Sequence, residues 1–341
     1  PEVSLKDARA LRDRSRQMLS ENIDPCENKK AIKSSSLASA ENSFEVVARE
    51  WFATYRQSIV PDHADRIMSR MERDIFPWIG AKAVSELSAP EILTVVRRIA
   101  NRGAVETAHR AKSNIGQVIR YAIVTGRADR NPTPDLKGAL PSPRVKHLAA
   151  VIEPEKVGEL LRVIDSYIGS FTVRCALRLA PLVFVRPGEL RQAKWSDINL
   201  GRAEWKYVVT KTKTDHIVPL SKQAVNILKE IFPLTGTDVY VFPSPNAVNR
   251  PMSNNAVLSA FRRMGISKEE MTGHGFRAMA RTLLAEELEF KPEVIEHQLA
   301  HRVPDALGKA YNRTRFIKER THMMQRWADY LDELKTSGPE Q

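Results

Sequence analysis

"TGHGFRAMARTLLAEEL" occupies residues 272–288. Phe276, Met279, Ala280, Leu283 and Leu284 recur at three- and four-residue intervals, which is the buried stripe of a helix lying on a core. His274 and Arg277 stand three residues apart at its start, so they leave on neighbouring faces of one turn. Such a pair can hold one phosphate oxygen and exchange a proton with another atom. The plainer reading of a lone histidine is structural.

A second helix start of the same kind is "VRPGELRQAKW" at 185–195. Pro187 suits the first helical position, and it pushes Arg186 out of the helical region. Arg186 then projects beside free backbone N–H groups, an arrangement suited to an oxyanion or phosphate. An ion pair with a surface carboxylate is the alternative. Between these helices, "EWKYVVTKTKTDHIVPL" at 204–220 reads as a β-hairpin. Period-two alternation puts Trp205, Tyr207, Val209 and Lys211 on one side, with Lys211 at the tip. Lys213 is equally basic and close by. Further on, "KAYNRTRF" at 309–316 sets Tyr311 between Lys309 and Arg313. A phenol titrates near 10 and is a poor nucleophile at neutral pH unless cations favour its anion. His297 and His301 are four apart, a zinc-helix spacing, but Gln298 stands where a metalloprotease carries glutamate.

Around this stretch, helices are expected near 154–166, 170–182, 187–195, 221–232 and 254–264. The fold class is therefore mainly α with a small antiparallel β-sheet. The N-terminal part reads as helical throughout. "FEVVAREWFATY" carries a stripe of Phe44, Val47, Ala48, Trp51, Phe52 and Tyr55. A second helix is expected near 62–75, stopping before Pro77. A third starts at Ser88, with Pro90 in its first turn and Gly103 past its end. A fourth spans 105–125, with Ala108, Ala111, Ile115, Val118, Ile119 and Ala122 inward.

The chain has 341 residues and a net charge of +12, which favours an anionic partner, nucleic acid above all. Residues 101–150 hold nine Lys/Arg against three acids. Arg110, Lys112 and Arg120 on the fourth helix, with Arg144 and Lys146 beyond it, are the candidate DNA contacts; a solvated face is the bland alternative. The two cysteines, Cys26 and Cys175, are far apart and outside metal-ligand spacing, which fits a reducing cytoplasm. No apolar run approaches the roughly 18–20 residues of a membrane helix.

Taken in order, Arg186, Lys211, His274, Arg277, His301 and Tyr311 resemble the signature of the tyrosine recombinase (phage integrase) family. "RPGEL", "HGFR", "LAH…AYNR", "HIVPLS" at 216–221 and "RWADYL" at 326–331 look like integrases of prophages and genomic islands. The resemblance implies an arm-domain remnant at 1–33 with a linker to 42, and a helical core-DNA-binding domain at 43–126. A basic Pro-rich linker at 127–147, a mixed, mostly helical catalytic domain at 148–331 and a flexible tail at 332–341 follow. It implies a site-specific recombinase that cleaves and rejoins DNA through a 3′-phosphotyrosyl intermediate, with Tyr311 as nucleophile. Arg186 and Arg277 would hold the phosphate, Lys211 protonate the leaving oxygen, His274 assist deprotonation of Tyr311, and His301 hydrogen-bond the phosphate. No nucleotide cofactor and no metal are expected. The implied partners are double-stranded DNA attachment sites and three further copies in a homotetramer, in a bacterial cytoplasm at the nucleoid. A host DNA-bending protein and an excision factor are further family partners. The rivals are a recombinase-derived DNA-binding protein that no longer cuts, a type IB topoisomerase-like enzyme, and a metal-dependent nuclease.

Overall fold

The stripe of Phe44, Val47, Ala48 and Trp51 is buried along one side of a helix, as its spacing predicts. The computed structural model describes residues 4–20, 24–26, 41–142, 149–210, 212–301 and 316–337. The chain divides into two units, Pro1–Val145 and Lys146–Gln341, each with its own core.

The first unit contains α1 (Leu5–Ser20), α2 (Phe44–Tyr55), α3 (Pro61–Arg70), α4 (Phe76–Ile79), α5 (Ala89–Asn101) and α6 (Val105–Val124). α1 buries no residue. Its Ser4 hydroxyl accepts from the Asp7 amide at 3.2 Å, satisfying a free donor of the first turn. α5 begins where the sequence places it: the Ser88 amide and hydroxyl both donate to Glu91, at 3.0 and 2.6 Å. All six inward residues expected on α6 are buried.

Two expectations for this unit are corrected. The second helix does not stop before Pro77. Residues Met71–Ile75 open into a π turn, and Pro77 lies in the first turn of α4. In an unbroken α-helix the proline ring would meet the carbonyl four residues back, and the wider turn relieves that contact. Nor is the linker expected at 127–147 an extended tether over its described part, 127–142; residues 143–147 lie outside the described residues. Thr133–Leu136 form a 3₁₀ turn, and Leu136 and Leu140 are buried in the core of the bundle. The prolines that suggested a linker instead shape a short wrap around the helices.

The second unit contains α7 (Pro154–Asp165), α8 (Phe171–Val183), α9 (Pro187–Arg191), α10 (Lys222–Thr235), α11 (Ala256–Arg263), α12 (Gly275–Glu286), α13 (Pro292–Gln298) and α14 (Ile317–Thr336). Among the described residues its sheet has the order β1 (Ile198–Asn199), β2 (Glu204–Val208), β3 (Asp215–Pro219), antiparallel throughout. The β2–β3 hairpin is the expected one, with Trp205 opposite Val218 and Tyr207 opposite His216. β1 escapes a sequence reading because two residues carry no periodicity. α9 ends at Arg191, short of 195, and a 3₁₀ turn over Trp195–Asp197 follows.

The tail expected to be flexible from 332 is helical as far as Thr336. α14 docks on its own unit: Met323, Met324, Trp327, Ala328 and Leu331 are buried, and Trp327 Nε1 donates to the Pro181 carbonyl at 2.9 Å. Its last turn lies against α7, where Arg162 donates to the Lys335 carbonyl at 3.0 Å. A Cβ on Gly158 would overlap the Leu334 carbonyl oxygen. Helix propensity alone would favour Gly158→Ala by roughly 1 kcal/mol. Overpacking against a backbone atom costs about 1–3 kcal/mol, because a carbonyl cannot rotate away. Gly158→Ala is therefore expected to lower stability in urea denaturation; an increase would mean that α14 does not lie on α7 over its last turn.

Candidate active site

α8 ends on Phe184, a buried residue held at φ +35°, and the turn after α13 passes through Ala300 at φ +50°. A non-glycine residue in this left-handed region costs roughly 1–2 kcal/mol, and such strain concentrates at functional sites. Here it aims carbonyls. The Phe184 carbonyl accepts from Arg277 Nη1 at 3.0 Å, and that of Leu299 from Arg277 Nη2 at 2.6 Å. The Ala300 carbonyl accepts from Arg186 Nη2 at 3.4 Å. Two strained helix ends thus bring two guanidinium groups into one patch.

Arg186 is extended just before Pro187, as the sequence predicts. Its amide and its Nη1 both donate to Glu189, at 3.0 and 2.9 Å. The carboxylate partner of the alternative reading therefore exists, but its side chain is only 3% exposed. The Tyr207 hydroxyl donates to the same Glu189 at 2.9 Å. Burial first, and Glu189 second, push that phenol well above its ordinary range, so it stays a donor. Burial, and after it the like charge of Arg186, lower Arg277 to about 10, which leaves it cationic at neutral pH.

His274 sits immediately before α12, as expected, with only part of its surface open to solvent. Partial burial lowers its pKa, and the positive charges of Arg277 and Arg186 lower it further. His301 Nε2 lies 3.0 Å from Arg277 Nη2, and its Nδ1 lies 2.6 Å from Glu296 Oε2. Arginine can only donate, so Nε2 accepts and Nδ1 carries the ring proton. Glu296 also accepts from Arg281 at 2.8 Å. Burial works to raise Glu296, but His301 and Arg281 outweigh it and its pKa is lowered. With both ring nitrogens engaged, one of them by a cation, His301 does not form a zinc pair with His297. Among the described residues no cluster of His, Cys, Asp and Glu could hold a metal ion.

Arg186, His274, Arg277 and His301 are thus brought together. Lys211 and Tyr311 lie outside the described residues, as do Arg144 and Lys146. Arg110, Lys112 and Arg120 belong to the first unit, on α6. At about 100° per residue they spread over roughly 160° of its circumference, too wide for one narrow strip. Arg110 is paired with Glu106. Arg70, which the sequence reading passed over, donates to the buried Asn114 at 2.7 Å. Burial, and then the charge of Arg110, lower its pKa.

Glu189, Tyr207 and Glu296 were also missed. Glu189 had a legible signal, because a glutamate three residues after a helix-capping position reaches back to its amide.

A profile described as "Phage integrase central domain" matches residues 44–139, and one described as "Phage integrase family" matches residues 150–317. Prophage integrase IntA of Escherichia coli (strain K12) is 37% identical over 333 residues, covering 97% of this chain and 80% of that protein. This chain belongs to the phage integrase family. It is a site-specific tyrosine recombinase of the kind that integrates mobile elements. The integrase of Enterobacteria phage P4 is 35% identical, covering 97% of this chain and 78% of that protein. The fold of this integrase is also that of a lambda integrase tetramer bound to a Holliday junction, with TM-score 0.62 at 18% identity over 78% of this chain and 80% of that one. A Tn1549 transposon integrase in complex with circular intermediate DNA gives 0.56 at 14% identity, over 81% and 98%. No described helix of the integrase is long and apolar enough to cross a membrane.

Behind the site, burial and then the charge of Arg320 lower His216 to about 3. Between about pH 6.5 and 3 the unfolded chain binds a proton that the folded ring refuses, so stability falls as the pH is lowered through that window. His216→Gln removes this term. Between pH 7 and pH 5 the wild type is expected to lose about 2 kcal/mol more than the variant. Equal slopes of urea-unfolding free energy against pH would mean that His216 is not held neutral.

Proposed function

We propose that Arg186, Lys211, His274, Arg277, His301 and Tyr311 form one active site that cuts and rejoins double-stranded DNA at attachment sites. Tyr311 Oη attacks the scissile phosphorus. An O–P bond to tyrosine forms and the P–O5′ bond breaks, leaving a 3′-phosphotyrosyl end and a free 5′-hydroxyl. The bond energy is retained in the covalent link, so another 5′-hydroxyl can reverse the attack. The transition state carries added negative charge on its non-bridging oxygens, and the two arginines meet that charge with forks that are always cationic.

One observation carries this reading. Two guanidinium groups are held in the same patch by fixed carbonyls, although their like charges repel and Glu189, buried beside Arg186, offsets only part of that cost. A bound phosphate diester supplies further counter-charge. His301 cannot donate to that phosphate while Nε2 accepts from Arg277. It does so only when Nε2 is released from Arg277 and carries a proton, with Glu296 holding Nδ1 at 2.6 Å. His274, whose pKa is lowered by partial burial and then by the charges of Arg277 and Arg186, accepts the proton from Tyr311. Lys211 donates a proton to the leaving 5′-oxygen.

The first unit carries the core-DNA-binding domain in this reading, with residues 1–33 belonging to an arm-binding domain. Recombination exchanges four strands, so the working assembly is a homotetramer on two duplexes, at the nucleoid of a bacterial host. A DNA-bending protein and an excision factor complete it.

The test is a nicked suicide DNA substrate incubated with the protein in EDTA and resolved on a denaturing gel. A covalent complex that Tyr311→Phe abolishes is expected. A metal requirement, or full activity in that variant, would falsify the reading. Arg277→Lys retains charge but loses the fork, and is expected to slow cleavage roughly 10²–10³-fold. Lys211→Ala is expected to be rescued by a 5′-bridging phosphorothiolate, whose leaving group needs no acid. If Lys213→Ala is rescued instead, the acid lies two residues further along the hairpin.

A further inference from the structure

Three elements meet behind the arginine patch at a buried polar junction. Gln298 closes α13 and is 2% exposed. Its side-chain Oε1 accepts from Arg320 Nε at 2.9 Å and from Arg320 Nη2 at 2.7 Å. Its backbone carbonyl accepts from His216 Nε2, on β3, at 3.1 Å. Arg320 comes from α14, is 3% exposed, and also donates to the Ile217 carbonyl of β3. The residues immediately after Gln298 are Leu299 and Ala300, whose carbonyls hold Arg277 and Arg186. His301 follows and touches Arg277. A displacement of Gln298 therefore moves acceptors of both guanidinium groups at once.

A second connection runs the other way around the site. The Tyr207 ring meets the His216 ring edge-on at 5.6 Å, and the Tyr207 hydroxyl donates to Glu189, the carboxylate that fixes Arg186. The fork of Arg320 donates to a side-chain amide and to a backbone carbonyl at once. Filling the space with an apolar side chain would avoid desolvating a cation. What arginine adds is direction: its planar fork holds the amide of Gln298 and the edge of β3 in fixed relation.

We propose that Arg320 and Gln298 are positioning residues for strand cleavage. The fork of Arg320, on the C-terminal helix, fixes the turn 298–301, and that turn aims Arg186, Arg277 and His301 at the scissile phosphate. The inference rests on the phosphate-binding role given above to the two arginines. It adds that the cleavage step depends on a side chain that touches neither DNA nor any reacting atom.

The experiment compares Arg320→Met, Arg320→Lys, Gln298→Ala, the Gln298→Ala/Arg320→Met double variant and Met324→Ala on the full chain. Met324 is buried on the same helix and lies outside the junction. Three quantities are read: the rate of covalent-complex formation at saturating suicide substrate, the half-saturating DNA concentration, and the melting midpoint. Arg320→Met is expected to slow cleavage at saturation at least tenfold, with the half-saturating concentration within twofold of wild type. Arg320→Lys, which can still donate to Gln298, recovers part of the rate. Met324→Ala lowers the melting midpoint but, below that temperature, cleaves at close to the wild-type rate. The double variant is no slower than the slower single one. A wild-type rate in Arg320→Met, a loss that merely follows the folded fraction, or defects that multiply in the double variant would each overturn the proposal. Should Arg320→Met fail to fold, Gln298→Ala is judged by the same thresholds. A wild-type covalent complex that Tyr311→Phe removes keeps the underlying reading separate: it can stand while the role of Arg320 falls.

Discussion

The second unit is organised around the problem of holding two arginines together. Arg186 and Arg277 repel each other, and burial adds to the penalty on Arg277. The fold answers with acceptors that cannot move away: the carbonyls of Phe184, Leu299 and Ala300, and the buried carboxylate of Glu189. Two of those carbonyls belong to residues in the left-handed region, where neither phenylalanine nor alanine rests comfortably. The strain persists because the packing around it over-determines the backbone. The consequence is preorganisation. In the proposed reaction, positive charge then waits where negative charge develops, so little reorganisation is needed.

The helical framework was largely legible in the sequence because its signals are local and redundant. The stripe on α6, the Ser88 cap with Glu91 and the β2–β3 alternation each follow from spacing within one element. Departures arise where a residue's meaning depends on distant partners. Proline marked a stop at 77 and a linker at 127–147, yet a π turn carries the first and a hydrophobic anchor holds the described part of the second. The polar end of α14 read as a loose tail because part of what holds it is backbone, the Leu334 and Lys335 carbonyls against Gly158 and Arg162.

The site divides along the same line. Residue types and order were enough to single out Arg186, His274, Arg277 and His301. The residues that aim them were harder to see. Glu189 sits in the same short box as Arg186 and could have been read as its partner. Glu296 and Gln298 look like surface residues of a short helix until the fold brings Arg281, His301 and Arg320 to them. No periodicity announces that Phe184 or Ala300 will turn left-handed. Catalytic groups are constrained by chemistry and so by residue type, whereas the groups that position them are constrained by geometry, which many residue types can satisfy.

The central claim is that one phosphate diester occupies the space between the two guanidinium groups. The most direct measurement is a crystal structure of the Tyr311→Phe protein on an uncleaved core-type DNA site. The account predicts one backbone phosphate whose two non-bridging oxygens are hydrogen-bonded by Arg186 and Arg277, with the ring at position 311 on the side opposite the bridging 5′-oxygen. A phosphate bound elsewhere, with the two arginines still turned only toward protein carbonyls and Glu189, would contradict it.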